Sequence, residues 1–154
     1  MARPTGTKQI AENRRARYDY ELLERFEAGI VLTGTEVKSL RDGRVTLAQS
    51  YADVRDNEVW LLGAEISVYA QGNNANHEPT RDRKLLLKRS EIADLVGKVR
   101  EKGQTIVPTR LYFKDGRVKV EIALARGKEK GDKRRTLVER DAKRDMERAL
   151  KSRR

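Results

Sequence analysis
The stretch TIVPTRLYF, KDG, RVKVEIALA, residues 105–125, limits the fold more than any other part of the chain. Val118, Val120, Ile122 and Leu124 alternate with Lys119, Glu121 and Ala123, so successive side chains fall on opposite faces of a strand. Lys114-Asp115-Gly116 supplies the turn, because Asp and Gly accept the backbone conformation a tight hairpin needs. One face of this hairpin is core and the other is wet. Pro108 has no backbone donor, which places its strand at an edge or at a bulge.

The rest of the body repeats this grammar. FEAGIVLTG (26–34) is β-prone and bounded by glycine, and TEVKSLRDG (35–43) has the form of a short helix closed by Gly43. SYADVRD and NEVWLLGAEISV meet at Asp56-Asn57, a pair suited to a hairpin turn. QGNNANHEPTRDR (71–83) is loop by composition, and KLLLK returns to strand. Ser90 is placed to cap SEIADLVGKVREKG, whose Ile92, Leu95, Val96 and Val99 share one helical face, with Gly103 as the stop. Trp60 and Tyr112 fall inside strands and are expected in the core. Short strands, one helix before the last hairpin and no βαβ rhythm predict a mainly β fold. An OB-type antiparallel barrel of five or six strands with short flanking helices ranks ahead of a two-layer α+β sandwich.

Charge is distributed unevenly. Residues 1–20 carry five basic and two acidic side chains, 126–154 thirteen and six, and 21–125 seventeen and sixteen, within a formal net charge of +11. A nearly neutral body with basic ends suits a polyanion partner, because Lys and Arg that meet phosphates release condensed counterions. There is no cysteine, hence no disulfide framework and no thiolate metal site. MARPTGTKQIAENRR lacks the apolar stretch of a signal peptide, and the aliphatic runs Ile30–Leu32 and Leu85–Leu87 fall far short of a membrane span, so a cytoplasmic protein without a membrane partner is expected.

Catalytic patterns are missing. The lone His77 sits in a polar loop, where a loop-structuring or phosphate-contacting role outranks a catalytic one. No nucleophile elbow, P-loop or dinucleotide fingerprint occurs. No catalytic residue, metal site or cofactor is assigned, although paired carboxylates holding Mg²⁺ for phosphodiester cleavage stay open as a minor alternative. Tyr18 and Tyr20 follow Arg14, Arg15 and Arg17, a grouping able to stack on bases while pairing with phosphates; packing in the body is an equal reading.

NRRARYDYELLERFEAGIVLTGTEVKSLRDG, SYADVRDNEVWLL, HEPTRDRKLLL and GQTIVPTRLYFKDGRVKVEIALARGKEKGDKR resemble successive blocks of the SsrA-binding protein (SmpB) family, from about Asn13 to Arg134. The resemblance implies a non-enzymatic, OB-type RNA-binding protein that binds the tRNA-like domain of transfer-messenger RNA. Such proteins deliver that RNA to stalled ribosomes together with elongation factor Tu. It places RNA contacts at Asn13, Arg14 and Arg15, at Glu27, and at Leu86 and Lys88. At Lys88 other members often have Asn or His, so a charge pair replaces an amide hydrogen bond there. It places ribosome engagement, at the decoding centre and mRNA channel of the small-subunit RNA, on Lys128, Lys130, Asp132, Lys133 and Arg134, and Ala149 and Leu150 of the tail are expected to share it. Gly131 stands where an aromatic or His often precedes DKR, and glycine has no side chain to stack. A ribosomal or ribosome-assembly RNA-binding protein is the alternative.

The expected organisation is a flexible arm over 1–12, a barrel over 13–127 and a basic tail over 128–154, in a monomer. Thr136 with Glu139 fits a capping box, and Glu139 with Lys143 and Glu147 with Lys151 fit favourable i, i+4 pairs, predicting a conditional helix over 136–150. Its stripe of Val138, Ala142, Met146, Ala149 and Leu150 is thin, so the helix is expected to form against a partner rather than against the body.

Overall fold
The computed structural model describes residues 6–70, 76–127, 140 and 142–148. Its strands are β1 (Thr7–Glu12), β2 (Tyr20–Ile30), β3 (Val45–Thr46), β4 (Tyr51–Arg55), β5 (Glu58–Leu62), β6 (Glu65–Ile66), β7 (Arg83–Leu86), β8 (Thr105–Lys114) and β9 (Arg117–Gly127). The helices are α1 (Arg14–Asp19), α2 (Gly34–Arg41) and α3 (Arg89–Lys102). All pairings are antiparallel, and six strands close a ring: β8 pairs with β4, β4 with β5, β5 with β7, β7 with β2, β2 with β9, and β9 with β8. Strand β1 extends the edge of β8, and β3 and β6 form a separate two-stranded ribbon. The architecture is OB-like, mainly β with short helices, as expected.

Both hairpins form where the turn residues require them. Asp56 and Asn57 have φ of 52° and 62°, and Asp115 and Gly116 have 50° and 80°, the left-handed pair that matches the twist of adjoining strands. The final turn is therefore two residues long, with Lys114 paired to Arg117 as the first rung. The register slips between Pro108 and Arg110, so the bulge falls where the proline cannot donate. Val120, Ile122 and Leu124 are fully buried, and Val118 packs beside them against Phe26, Ala28, Leu61, Leu85, Leu95, Ile106 and Leu111.

Several boundaries differ from the sequence expectation. Residues 7–12, expected in a flexible arm, form β1, and β2 starts six residues before Phe26. Helix α3 begins at Arg89 rather than after Ser90, because the Glu91 carboxylate accepts the Lys88 N–H at 3.0 Å and does the capping itself. Gly103 closes α3 in the left-handed conformation, φ 61°. Trp60 is only half-buried, since it lies on the outer side of β5 opposite Asp53 and Lys84. Helical backbone at 140 and 142–148 falls within the expected tail helix, and residues 142–148 are all exposed. Among the described residues no helix is long and apolar enough to cross a membrane.

A buried ionic cluster ties α2 to the start of β7. Glu36 and Arg83 are both completely buried, with Arg83 Nε 2.5 Å from Glu36 Oε2. Arg81 donates to the other carboxylate oxygen at 2.5 Å, and the Thr33 N–H reaches it at 2.8 Å. The remaining Arg83 donors meet the carbonyls of Ala64, Arg81 and Pro79 at 2.9–3.1 Å. Burial alone raises the Glu36 carboxyl, but the hydrogen bonds from Arg81, the Thr33 N–H and Arg83 outweigh it and hold the group below its ordinary range. His77 belongs to the same region: its Nε2 is 2.8 Å from the Ile66 carbonyl, which can only accept, so Nδ1 accepts from the Thr35 hydroxyl at 2.9 Å. It is the loop-structuring residue of the two roles expected.

Replacing Glu36 by Gln leaves Arg83 charged and unpaired in the interior, and should lower unfolding free energy by about 3–5 kcal/mol in urea titrations at neutral pH. Because the folded Glu36 pKa lies below the unfolded 4.5, its contribution is complete above that pH and fades as pH falls through the folded value. The difference between wild type and Glu36→Gln should therefore narrow in acid.

Candidate nucleic-acid interface
Cross-strand partners share a side of the sheet, so the registers list the residues of the outer face. Glu12, Arg110, Glu121 and Glu27 form one row across β1, β8, β9 and β2. Gln9, Tyr112, Lys119, Gly29 and Leu86 form the next, reaching β7. Thr7, Lys114 and Arg117 form a third. The row between the first two, Ala11, Leu111, Val120 and Ala28, points inward to the core. One outer face thus carries the expected contacts Glu27 and Leu86.

At one end of this face, α1 packs through Ala16 onto Val107 and Ala125, with Tyr20 and Leu22 around them. Tyr20 is thereby a packing residue. Tyr18 is half-buried and lies 6.0 Å from the Arg140 guanidinium. Asn13 caps α1: its Oδ1 accepts the Ala16 N–H at 3.2 Å, its Nδ2 donates to the Pro108 carbonyl at 2.9 Å, and its own N–H reaches the Thr109 carbonyl at 2.7 Å. It is 4% exposed. Asn13 thus has an architectural role, and it orients the following pair. Arg14 and Arg15 are exposed on α1, with Arg15 3.3 Å from Asp19.

At the centre, Glu27 and Glu121 stand directly opposite each other, an arrangement that repels unless both charges are compensated. Glu121 receives Arg110 Nε at 2.5 Å and Arg25 at 3.4 Å. Glu27 receives the Tyr112 hydroxyl at 2.5 Å and Lys114 at 3.2 Å. The Tyr112 hydrogen bond is the chief cause that holds the Glu27 carboxyl below its ordinary range. Burial raises the Glu121 carboxyl, and Arg110 and Arg25 more than reverse it. Burial, then the bond to Glu27, pushes the Tyr112 phenol up, so it stays a donor at any working pH. Tyr112 is 3% exposed, buried as expected, and the register sets it on the outer side of β8.

At the other end Leu86 is 52% exposed while its neighbour Leu85 is in the core. Gly29 lies opposite, and a Cβ there would come 3.3 Å from the Leu86 Cβ, so the glycine leaves room for the leucine to stand out from the sheet. Lys88 is exposed at the start of α3. The tail positions Lys128, Lys130, Asp132, Lys133, Arg134, Ala149 and Leu150 lie outside the described residues. Arg110, Tyr112, Lys114 and Glu121 were missed as site residues. The Asp115-Gly116 turn could have found them, since counting back from it, before the proline bulge is reached, sets Lys114, Tyr112 and Arg110 against Arg117, Lys119 and Glu121.

The class this fold and face define is that of small antiparallel barrels with a basic, hydrogen-bonding sheet surface, the kind on which OB-type proteins hold oligonucleotides. A family model described as SmpB protein matches residues 10–152. An SsrA-binding protein of Thermobifida fusca (strain YX) is 58% identical over 149 residues, which is 97% of this chain and 93% of that one. Another, of Parafrankia sp. (strain EAN1pec), is 56% identical over 150 residues, 97% and 95% of the two chains. A chain in a solved structure reported as "tmRNA-SmpB: a journey to the center of the bacterial ribosome" matches with a TM-score of 0.65 and 52% identity, over 78% of this chain and 85% of that one. The chain belongs to the SmpB family, a family of RNA-binding factors.

Asn13→Ala removes the α1 cap and the bond to the Pro108 carbonyl, and should cost about 1–3 kcal/mol of stability by chemical denaturation. Arg14→Ala, on the exposed side of the same helix, should stay within about 0.5 kcal/mol of wild type.

Proposed function
We propose that this protein binds the tRNA-like domain of transfer-messenger RNA and brings it to stalled ribosomes for trans-translation. The observation that carries the reading is the continuous outer face from α1 through Glu27 to Leu86 and Lys88, on a chain of the SmpB family. Its chemistry is divided. Arg14, Arg15, Lys88, Arg117 and Lys119 offer cations to phosphates, and the Glu27 carboxylate between them accepts hydrogen bonds from ribose or base donors. Leu86 offers apolar contact to a base or sugar. Residues 13–127 serve as the RNA-binding barrel, and residues 128–154 serve as the segment that enters the empty decoding centre and mRNA channel.

The protein acts without catalysis, as a cytoplasmic monomer, and meets elongation factor Tu through the RNA that both hold. Ending the chain after Gly127 should leave affinity for a tRNA-like-domain transcript within about threefold in gel-shift titrations, yet abolish peptide tagging in a reconstituted stalled-ribosome assay. Loss of both together would contradict the division between body and tail. RNA affinity should fall steeply with salt, with a log–log slope of roughly 0.7–0.9 per phosphate neutralised, and Arg14→Ala should reduce that slope by about one.

A further inference from the structure
We propose that Tyr112 is a positioning residue for RNA recognition, fixing the Glu27 carboxylate in the orientation that accepts the RNA's hydrogen bonds. The proposal rests on Glu27 being an RNA contact. Glu27 alone has no reason to keep one orientation. It faces Glu121 across the ladder, and its side chain remains 39% exposed, so repulsion would turn it toward solvent or toward whichever lysine lies nearest. Lys114 compensates its charge, but an ammonium on a flexible four-carbon stem is a point charge that follows the carboxylate rather than directing it.

Tyr112 is different in kind. Its ring is 3% exposed and stacks beneath the Arg110 guanidinium, 4.7 Å from the ring centroid, while the same guanidinium holds Glu121 at 2.5 Å. The register of β8 on β9 and of β9 on β2 sets where the phenol stands relative to Glu27. A rigid aromatic with two side-chain torsions, locked between strands and under a planar cation, offers one hydroxyl direction only. That hydroxyl meets Glu27 Oε2 at 2.5 Å. Arg110 and Tyr112 thus part the two carboxylates: one is drawn to the guanidinium, the other to the phenol. A carboxylate has about four lone-pair positions. With Tyr112 on Oε2 and Lys114 spanning both oxygens, the remaining positions face the solvent side, where an RNA donor can reach them.

The test is a double-mutant cycle on binding of a tRNA-like-domain transcript, using the full chain as wild type, Tyr112→Phe, Glu27→Gln and the double variant. Tyr112→Phe keeps the ring and its packing, so unchanged circular dichroism and a similar melting temperature accompany it. Each single change should weaken binding about five- to twentyfold, the effect of one misdirected charge-assisted hydrogen bond. The double variant should bind within twofold of Glu27→Gln, because a positioning residue has nothing to position once the carboxylate is gone. A purely structural role would multiply the two losses. Removing the phenol also raises the Glu27 pKa, so the loss of affinity on acidification should move to higher pH in Tyr112→Phe and vanish in Glu27→Gln. Wild-type binding by Tyr112→Phe, with Glu27→Gln weakened, overturns the proposal alone, as do multiplied losses in the double variant. Wild-type binding by Glu27→Gln overturns the reading of Glu27 as a contact, and the proposal with it.

Discussion

Glu36 accepts hydrogen bonds from Arg81, Arg83 and the Thr33 backbone at a seam where the backbone ladder of the barrel is short. The ladder between β2 and β7 has two register pairs, Gly29 with Leu86 and Ile30 with Leu85. Beyond them the Val31 N–H reaches the Lys84 carbonyl at 3.0 Å, and Arg81 reaches the Val31 carbonyl at 3.1 Å. The ionic cluster therefore continues the seam after the backbone ladder ends, fastening the chain just before β7 to the start of α2. Two buried charges are costly to desolvate, and a hydrophobic pair of similar volume would often match them in stability. Here the cluster also fixes which residues meet: it sets Arg83 inward, and with it Leu85 inward and Leu86 outward, since alternate side chains share a face. A slip of one residue would bury Leu86 and expose Leu85.

The outer face follows from that closure. Strands far apart in sequence, β2 and β7 on one side and β8 and β9 on the other, come into one sheet because β2 pairs with both β7 and β9. The result is a surface in which cations sit at the flanks and two carboxylates sit at the centre, each already held by a partner within the protein. The flanking cations are open to phosphate, while in the middle Arg110, Arg25 and Lys114 are engaged by the two carboxylates. A rigid, structured RNA can satisfy such a pattern with its backbone at two places and a sugar or base edge between them. A flexible polyanion gains only the flanks.

Much of this was legible in the sequence where local chemistry decides. Asp56-Asn57 and Asp115-Gly116 fix two hairpins through backbone conformation, and the alternation of Val118 to Leu124 identifies the inward face of β9. Pro108 announces a bulge. What was not legible depends on partners far along the chain. Tyr20 to Arg25 alternates too weakly to declare a strand, and extends β2 only because β9 pairs with it. Residues 7–12 carry no strong strand pattern and are ordered by β8. Glu36, Arg81 and Arg83 look like surface charges until the loop before β7 is laid against α2. Asn13 fits an RNA-contact motif, yet its cap and its bond to Pro108 belong to the fold. Glu27 looks merely exposed until the Tyr112 hydroxyl reaches it across β9.

The slip in β8 at Pro108 has a mechanical consequence. Because the ladder is irregular there, the carbonyls of Pro108 and Thr109 both turn to Asn13, one taken by its side chain and the other by its backbone. Helix α1 is thus fastened at its N-cap to the middle of the β8–β9 hairpin. A force applied to α1 passes through Asn13 into β8 and is shared with β9 and β2. Peeling α1 away from the sheet then requires breaking both Asn13 bonds at the bulge.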